Sequence, residues 1–208
     1  MKIGLCGPSG TGKTTLALST AKAFNLEYMP LSASIVYKHF GKDPEIENHR
    51  QLINKHAENS DWGIDFQLQL SKMRQTMLEG KDNVIVDRTP IDNYIYFMLE
   101  AGHNADKELC DKFFQECVEF AKTFDIIIFV PFCSNYGIPI NPQGKIEDNG
   151  KRITNPHFQE MVSVLFDYYI GTHFYRLLHG KTLLAKMDFW DFAKREATMK
   201  ACIQSIGE

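Results

Sequence analysis

The chain has 208 residues with a net charge of −3, five cysteines, and 44% of its residues are hydrophobic. That length suits a single α/β domain with one substantial core, and the mildly acidic balance gives no general drive toward nucleic acid or an anionic membrane. Cysteines 6, 110, 117, 133 and 202 are odd in number and form no C-x-x-C pair, which speaks for reduced thiols rather than a disulfide framework or a zinc site.

The first apolar run, Ile3-Gly4-Leu5-Cys6, reads as a buried strand, and Gly7-Pro8-Ser9-Gly10-Thr11-Gly12-Lys13-Thr14-Thr15 follows it directly. Gly7, Gly12, Lys13 and Thr14 meet the pattern G-x-x-x-x-G-K-[ST] of a phosphate-binding loop. In such a loop the glycines let successive N–H groups turn inward on a polyphosphate. The lysine reaches the β- and γ-phosphates, and the threonine hydroxyl ligates Mg²⁺. Residues 14–24 continue as a helix, with Leu16, Ala17, Thr20, Ala21 and Phe24 at helical spacing. Its N-terminal partial positive charge would face the phosphates. Gly7, Ser9, Gly10, Thr11, Gly12, Lys13, Thr14 and Thr15 are therefore the expected site for ATP with Mg²⁺, and Lys13 is expected to lie in a solvent-facing loop.

Strand-like and helical patterns then alternate, which predicts a parallel sheet covered on both faces. Residues 27–31 form a second strand weakened by Pro30, 60–79 a helix closed by Gly80, and 83–87 a third strand. Helices are predicted over 91–101 and 107–123, a strand over 125–130, and a long helix over 156–179, entered through Asn155 as N-cap and Pro156. A last strand over 182–185 and a helix over 188–206 close the chain. Residues 131–155 break this rhythm with prolines, glycines and charges, and a loop of that length predicts a lid that closes over ATP and excludes water. The first strand begins at residue 2, leaving no room for a signal peptide, and the longest apolar run, 126–130, is too short for a bilayer. A soluble cytoplasmic protein with no membrane partner is expected.

Beyond the loop, Val84-Ile85-Val86-Asp87-Arg88-Thr89 carries the most chemistry. Asp87 falls just past a buried strand, where open α/β sheets place ligands. There a carboxylate can organise Mg²⁺ or accept a hydroxyl proton, and the fork of Arg88 suits phosphate. The histidines are scattered without metal-ligand spacing.

With these residues in view, the chain resembles the P-loop nucleoside and nucleotide kinases. Trp62, Phe66-Gln67, Ser71 and Arg74, followed by Asp87-Arg88-Thr89, resemble the deoxynucleoside kinase pattern W…F-Q…S-R-x-R-x-Q and then an acid with R-S. Asp87-Arg88 is also similar to the D-R-[YH] signature of thymidylate kinases. Asp148-Asn149-Gly150-Lys151-Arg152 is similar to the D-G-x-R lid of ribosylnicotinamide-kinase-like ATPases of bacteria and phages. The resemblance implies a three-layer α/β/α fold of about five parallel strands, with residues 1–208 forming one domain and 131–155 its lid. It implies that Gln67 bonds the acceptor base, that Trp62 or Phe66 walls it, and that Asp87 serves the acceptor hydroxyl or magnesium. Arg88 would steady the acceptor or the phosphoryl group, and Arg152 would act from the lid. Where deoxynucleoside kinases place a glutamate after the second strand, Leu31-Ser32-Ala33-Ser34 offers only hydroxyls, with Ser32 at the acceptor side. Asp87 is then the best carboxylate available for the base and Asp92 a distant second.

The activity implied is transfer of the γ-phosphoryl of ATP to a nucleoside, nucleoside monophosphate or similar small acceptor. Two alternatives stay open: a kinase acting on a hydroxymethylated base or sugar within DNA or RNA, in a phage-encoded protein working in the host cytoplasm, and an NTP-hydrolysing regulatory switch. The acidic charge disfavours a nucleic-acid acceptor; a homodimer is compatible with the sequence.

Overall fold

The computed structural model describes residues 1–41, 51, 54–55, 60–132 and 155–206. Its centre is a five-stranded parallel sheet of β1 (Lys2–Cys6), β2 (Glu27–Met29), β3 (Val84–Asp87), β4 (Ile126–Phe129) and β5 (Leu183–Lys186), in the order β2-β3-β1-β4-β5. Ile3 registers with Ile85 on one side and Ile126 on the other, so β1 is the central strand. Neighbours of β1 come from later in the chain on both sides, which makes its carboxyl end the point where the winding reverses and a crevice opens.

Strand alternation divides the core into two faces. Ile3, Leu5, Ile85, Ile126 and Ile128 pack with Leu16, Ala17 and Ala21 of α1 (Lys13–Phe24) and with Met199 of α8 (Phe192–Gln204). Cys6, Val84, Val86, Ile127 and Phe129 turn the other way, onto α3 (Ser60–Leu78), α4 (Pro90–Glu100), α5 (Lys107–Ala121) and α6 (Pro156–Tyr169). The expected three-layer α/β/α arrangement is therefore present. Strands β1, β3 and β4 are buried across nearly their whole length, which is why they read as continuous apolar runs rather than as alternating ones.

Two local differences from the sequence reading have physical causes. A short helix, α2 (Ala33–His39), follows β2 with Ser32 as its N-cap, and its Val36 and Tyr37 are buried against the core. Ser-rich, β-branched segments score poorly as helices, so only tertiary packing reveals it. The long helix expected over 156–179 is interrupted by a π-helical turn, Ile170–Phe174, before α7 (Tyr175–Leu178). Gly171 weakens the ladder there, and the Thr172 hydroxyl donates to the Tyr168 carbonyl, widening the turn. Among the described residues no helix is long and apolar enough to cross a membrane.

Candidate active site

The loop after β1 has the backbone that a polyphosphate cradle requires. Gly7, Gly10 and Gly12 take φ of 130°, 79° and 83°, conformations that side-chain-bearing residues rarely adopt. A Cβ on Gly7 would fall 2.4 Å from the Val130 carbonyl oxygen, so the loop passes too close to the end of β4 for any larger residue. Gly12 is the left-handed N-cap from which α1 starts. Lys13 differs from the expectation: it is only 6% exposed, not solvent-facing. The loop wraps its ammonium, which donates to the Pro8 carbonyl and, at 3.3 Å, to the Thr11 hydroxyl. Burial and the nearby Arg88 charge lower the Lys13 pKa to about 7, against the opposing pull of Asp92 and Asp87.

Asp87, at the carboxyl end of β3, accepts a 2.6 Å hydrogen bond from the Thr14 hydroxyl at the start of α1. The Tyr28 hydroxyl from the adjacent β2 joins the same pair; burial and the Asp87 carboxylate push its pKa up. Thr14 and Asp87 are oxygen donors of the kind Mg²⁺ takes alongside phosphate oxygens and water. Among the described residues no group of three His, Cys, Asp or Glu gathers.

Arg88 joins the loop to the start of α4. Its guanidinium donates to the Gly7 carbonyl at 3.3 Å, to Ser9 Oγ at 3.3 Å and to Asp92 Oδ1 at 2.9 Å. It also lies 5.3 Å from the Tyr96 ring. Burial works against its charge, but Tyr96, Asp92 and Asp87 together raise its pKa. Asp92, the second carboxylate considered as a base, is fully buried and committed elsewhere. One oxygen takes Arg88 and the Gly7 N–H; the other takes the Thr89 N–H and hydroxyl, closing a capping box at the start of α4. These contacts make Asp92 an anchor between the loop after β1 and the start of α4.

The side facing α3 is packed differently. Phe66 lies between Tyr37 and Trp62, with ring centroids 5.2 Å and 5.1 Å away, and is 4% exposed. Trp62 is half-buried, with Lys55 Nζ 4.7 Å from its ring centroid. Gln67 is 3% exposed, and its amide donates to Glu100 at the far end of α4. Arg74 donates to the Leu31 carbonyl at 2.8 Å and to Asn93, which in turn donates to Ser71 at 2.9 Å. Burial, then the Arg88 charge, lowers the Arg74 pKa to about 10. Ser32 sits in the turn after β2, half-buried, with Ser34 Oγ at 3.5 Å. Thr15 is exposed on α1. Arg152 and nearly all of the insertion 131–155 lie outside the described residues; of its ends, the Phe132 N–H donates to Ser163 and Asn155 caps α6.

Thus Lys13, Thr14, Asp87 and Arg88 come together at the carboxyl ends of β1 and β3, whereas on α3 Trp62 stacks on Phe66 and Gln67 pairs with Glu100 of α4. Sequence reasoning missed Tyr28, Glu100 and Arg195. Tyr28 sits at the middle of a short strand in a place that strand pairing alone reveals. Glu100 is a carboxylate in an otherwise apolar helical stretch, a signal that was legible. Arg195, in α8, is 2% exposed and its Nη1 donates to the Thr11 carbonyl at 2.6 Å; only the packing of α8 on α1 brings it there.

Comparison with known proteins agrees with this geometry. Residues 3–64 match the model of the ATPase family associated with various cellular activities (AAA), a span that contains the phosphate loop. A cytidylate kinase of Clostridioides difficile (strain 630) is 27% identical over 164 residues, 56% of this chain and 74% of that protein. The deoxyadenosine kinase of M. mycoides, solved with bound dCTP, superposes with a TM-score of 0.61 at 17% identity, covering 99% of this chain and 100% of that one. Shikimate kinase from Acinetobacter baumannii, in complex with shikimate, gives 0.55 at 15% identity, covering 99% and 93%. With a glycine-rich loop of the phosphate-binding pattern at the end of the central strand of a five-stranded parallel sheet, the chain has the fold of the nucleoside and nucleotide kinases on which it superposes.

Proposed function

We propose that the protein is a phosphotransferase that moves the γ-phosphoryl group of ATP to a nucleoside, nucleoside monophosphate or similarly small acceptor. The observation that carries this reading is the meeting of the Thr14 hydroxyl and Asp87 beside a loop that encloses Lys13. Magnesium, held by Thr14 and Asp87, would neutralise charge on the phosphates. The loop N–H groups and Lys13 bind and orient the polyphosphate, and Arg88 holds the loop at a fixed distance from α4. Asp87 is the carboxylate we assign to the acceptor hydroxyl proton or to the metal's water shell, since Asp92 is consumed by its donors. Arg152 of the insertion is assigned to the transferring phosphate, and Gln67 with Trp62 to the acceptor side. Catalysis would then consist mostly of positioning and charge neutralisation around a loose transition state.

The deciding experiment offers labelled ATP and Mg²⁺ with a panel of nucleosides, monophosphates and DNA bearing hydroxymethylated bases. Label on a free nucleoside or monophosphate supports the reading. Label on the DNA alone moves the substrate to the polymer, and steady ATP hydrolysis with no acceptor labelled points to a regulatory switch.

A further inference from the structure

Behind the phosphate loop, on the side of the sheet covered by α1 and α8, lies a buried guanidinium that the account so far does not use. Arg195 comes from the first turn of α8, where the Asp191 side chain caps the Lys194 N–H and the Arg195 N–H reaches the Asp191 carbonyl. Its Nε donates to the Phe189 carbonyl at 2.7 Å and its Nη1 to the Thr11 carbonyl at 2.6 Å. The guanidinium lies 5.2 Å from the Trp190 ring centroid. It forms no ion pair with a described residue, and Nη2 is buried without a hydrogen-bond partner. Burial alone acts on its pKa, lowering it. A charge set in the interior without a carboxylate and with one donor unmade is costly to keep if its only task is to hold two helices together.

We infer that Arg195 is a positioning residue for the phosphate loop, fixing the Thr11–Gly12 peptide so that the Gly12 N–H faces the bound polyphosphate. In a planar trans peptide the carbonyl of one residue and the N–H of the next point to opposite sides. Holding the Thr11 oxygen from behind therefore turns the Gly12 N–H toward the other side of the loop. A charged donor on that oxygen also polarises the peptide and makes its N–H a stronger donor. The contact is close: a Cβ on Gly12 would come within 3.1 Å of Arg195 Nη1, so the guanidinium rests directly against the turn it steadies. The uncompensated charge adds a positive field behind the loop, in the same sense as the N-terminus of α1.

This rests on the reading of residues 7–15 as a nucleotide site, and the test separates the two. Affinities for Mg·ATP and for inorganic tripolyphosphate, which has no base, are measured by calorimetry on wild type, Arg195→Met and Arg195→Lys, with circular dichroism and melting curves alongside. Wild type should bind both ligands; failure to bind either would break the loop reading itself. Arg195→Met should weaken both by the same factor, about tenfold or more, as loss of a charged hydrogen bond does. Arg195→Lys, which keeps the charge but cannot hold the Thr11 and Phe189 carbonyls together, should lose about threefold for both. A lower melting temperature with both affinities unchanged would make Arg195 a structural clamp and overturn the inference. So would a loss confined to ATP, which would place Arg195 on the base. If Arg195→Met does not fold, Arg195→Lys decides, and wild-type affinities for both ligands in that variant refute the proposal.

Discussion

The two ends of the candidate cleft are built on different principles. At the phosphate end, function resides in backbone: Gly7, Gly10 and Gly12 adopt positive φ and the loop encloses Lys13 within a single stretch of chain. At the proposed acceptor end, side chains meet across long sequence separations: Gln67 with Glu100, Arg74 with Asn93 and Leu31, Phe66 between Tyr37 and Trp62. Backbone geometry of this kind can be written into nine consecutive residues. Side-chain pairing depends on how α3 and α4 pack, and it can be rewritten for a new acceptor without touching the loop. Arg88 and Asp92 tie the loop to α4, Arg88 through Gly7, Ser9 and Asp92, and Asp92 also through the Gly7 N–H.

The largest expected effect lies at the phosphate end. Lys13→Ala should lower kcat/KM by about 10³-fold, the scale of removing a preorganised donor from transferring charge. Because Lys13 is buried and bonded to Pro8 and Thr11, a melting curve should also register the change, which a solvent-facing lysine would not produce. Asp87→Asn follows, with transfer reduced about 10²-fold while Mg·ATP still binds, measured by single-turnover kinetics against calorimetric affinity. Loss of binding together with transfer would instead assign Asp87 to the nucleotide alone.

Gln67→Ala tests the acceptor end. Removing the amide proposed to bond the acceptor base leaves that base with unpaired polar groups, so a loss of about 1–3 kcal/mol is expected in acceptor binding, with ATP affinity unchanged. Losing its bond to Glu100 should also lower the melting temperature. A loss of thermal stability alone, with the acceptor KM untouched, would show that the cluster is core and that the acceptor sits elsewhere.

The smallest effect is a pH dependence. Lys13 in the folded protein titrates near 7, below its ordinary 10.5. Between these values the unfolded chain holds more protons than the folded one, so stability rises with pH through that window and its penalty is full below about 7. A polyphosphate restores the charge on Lys13. ATP binding at pH 8 should therefore take up about one proton, read by calorimetry in buffers of different ionisation heat, and the uptake should vanish in Lys13→Ala.

The same contrast explains what the sequence made legible. The sheet, its strands and the 7–15 loop were readable because apolar runs and glycine spacing act locally. The Asp87 position was readable because it ends a buried strand. Lys13 burial was not, since it depends on how the loop folds over its own ammonium. The commitment of Asp92 to a capping box was hidden because Thr89 and Arg88 both reach it only once α4 has formed. Arg195 was invisible for the same reason, its partner lying 184 residues away in the chain; for Glu100 only the pairing with Gln67, 33 residues away, was hidden.

The most direct test of the account is ATP consumption measured with and without the acceptor panel, in wild type and in Gln67→Ala. Wild-type consumption should rise sharply with one small nucleoside or monophosphate acceptor, and that rise should be lost in Gln67→Ala while ATP still binds. Hydrolysis indifferent to every acceptor and to the substitution would contradict it and leave an ATP-hydrolysing switch.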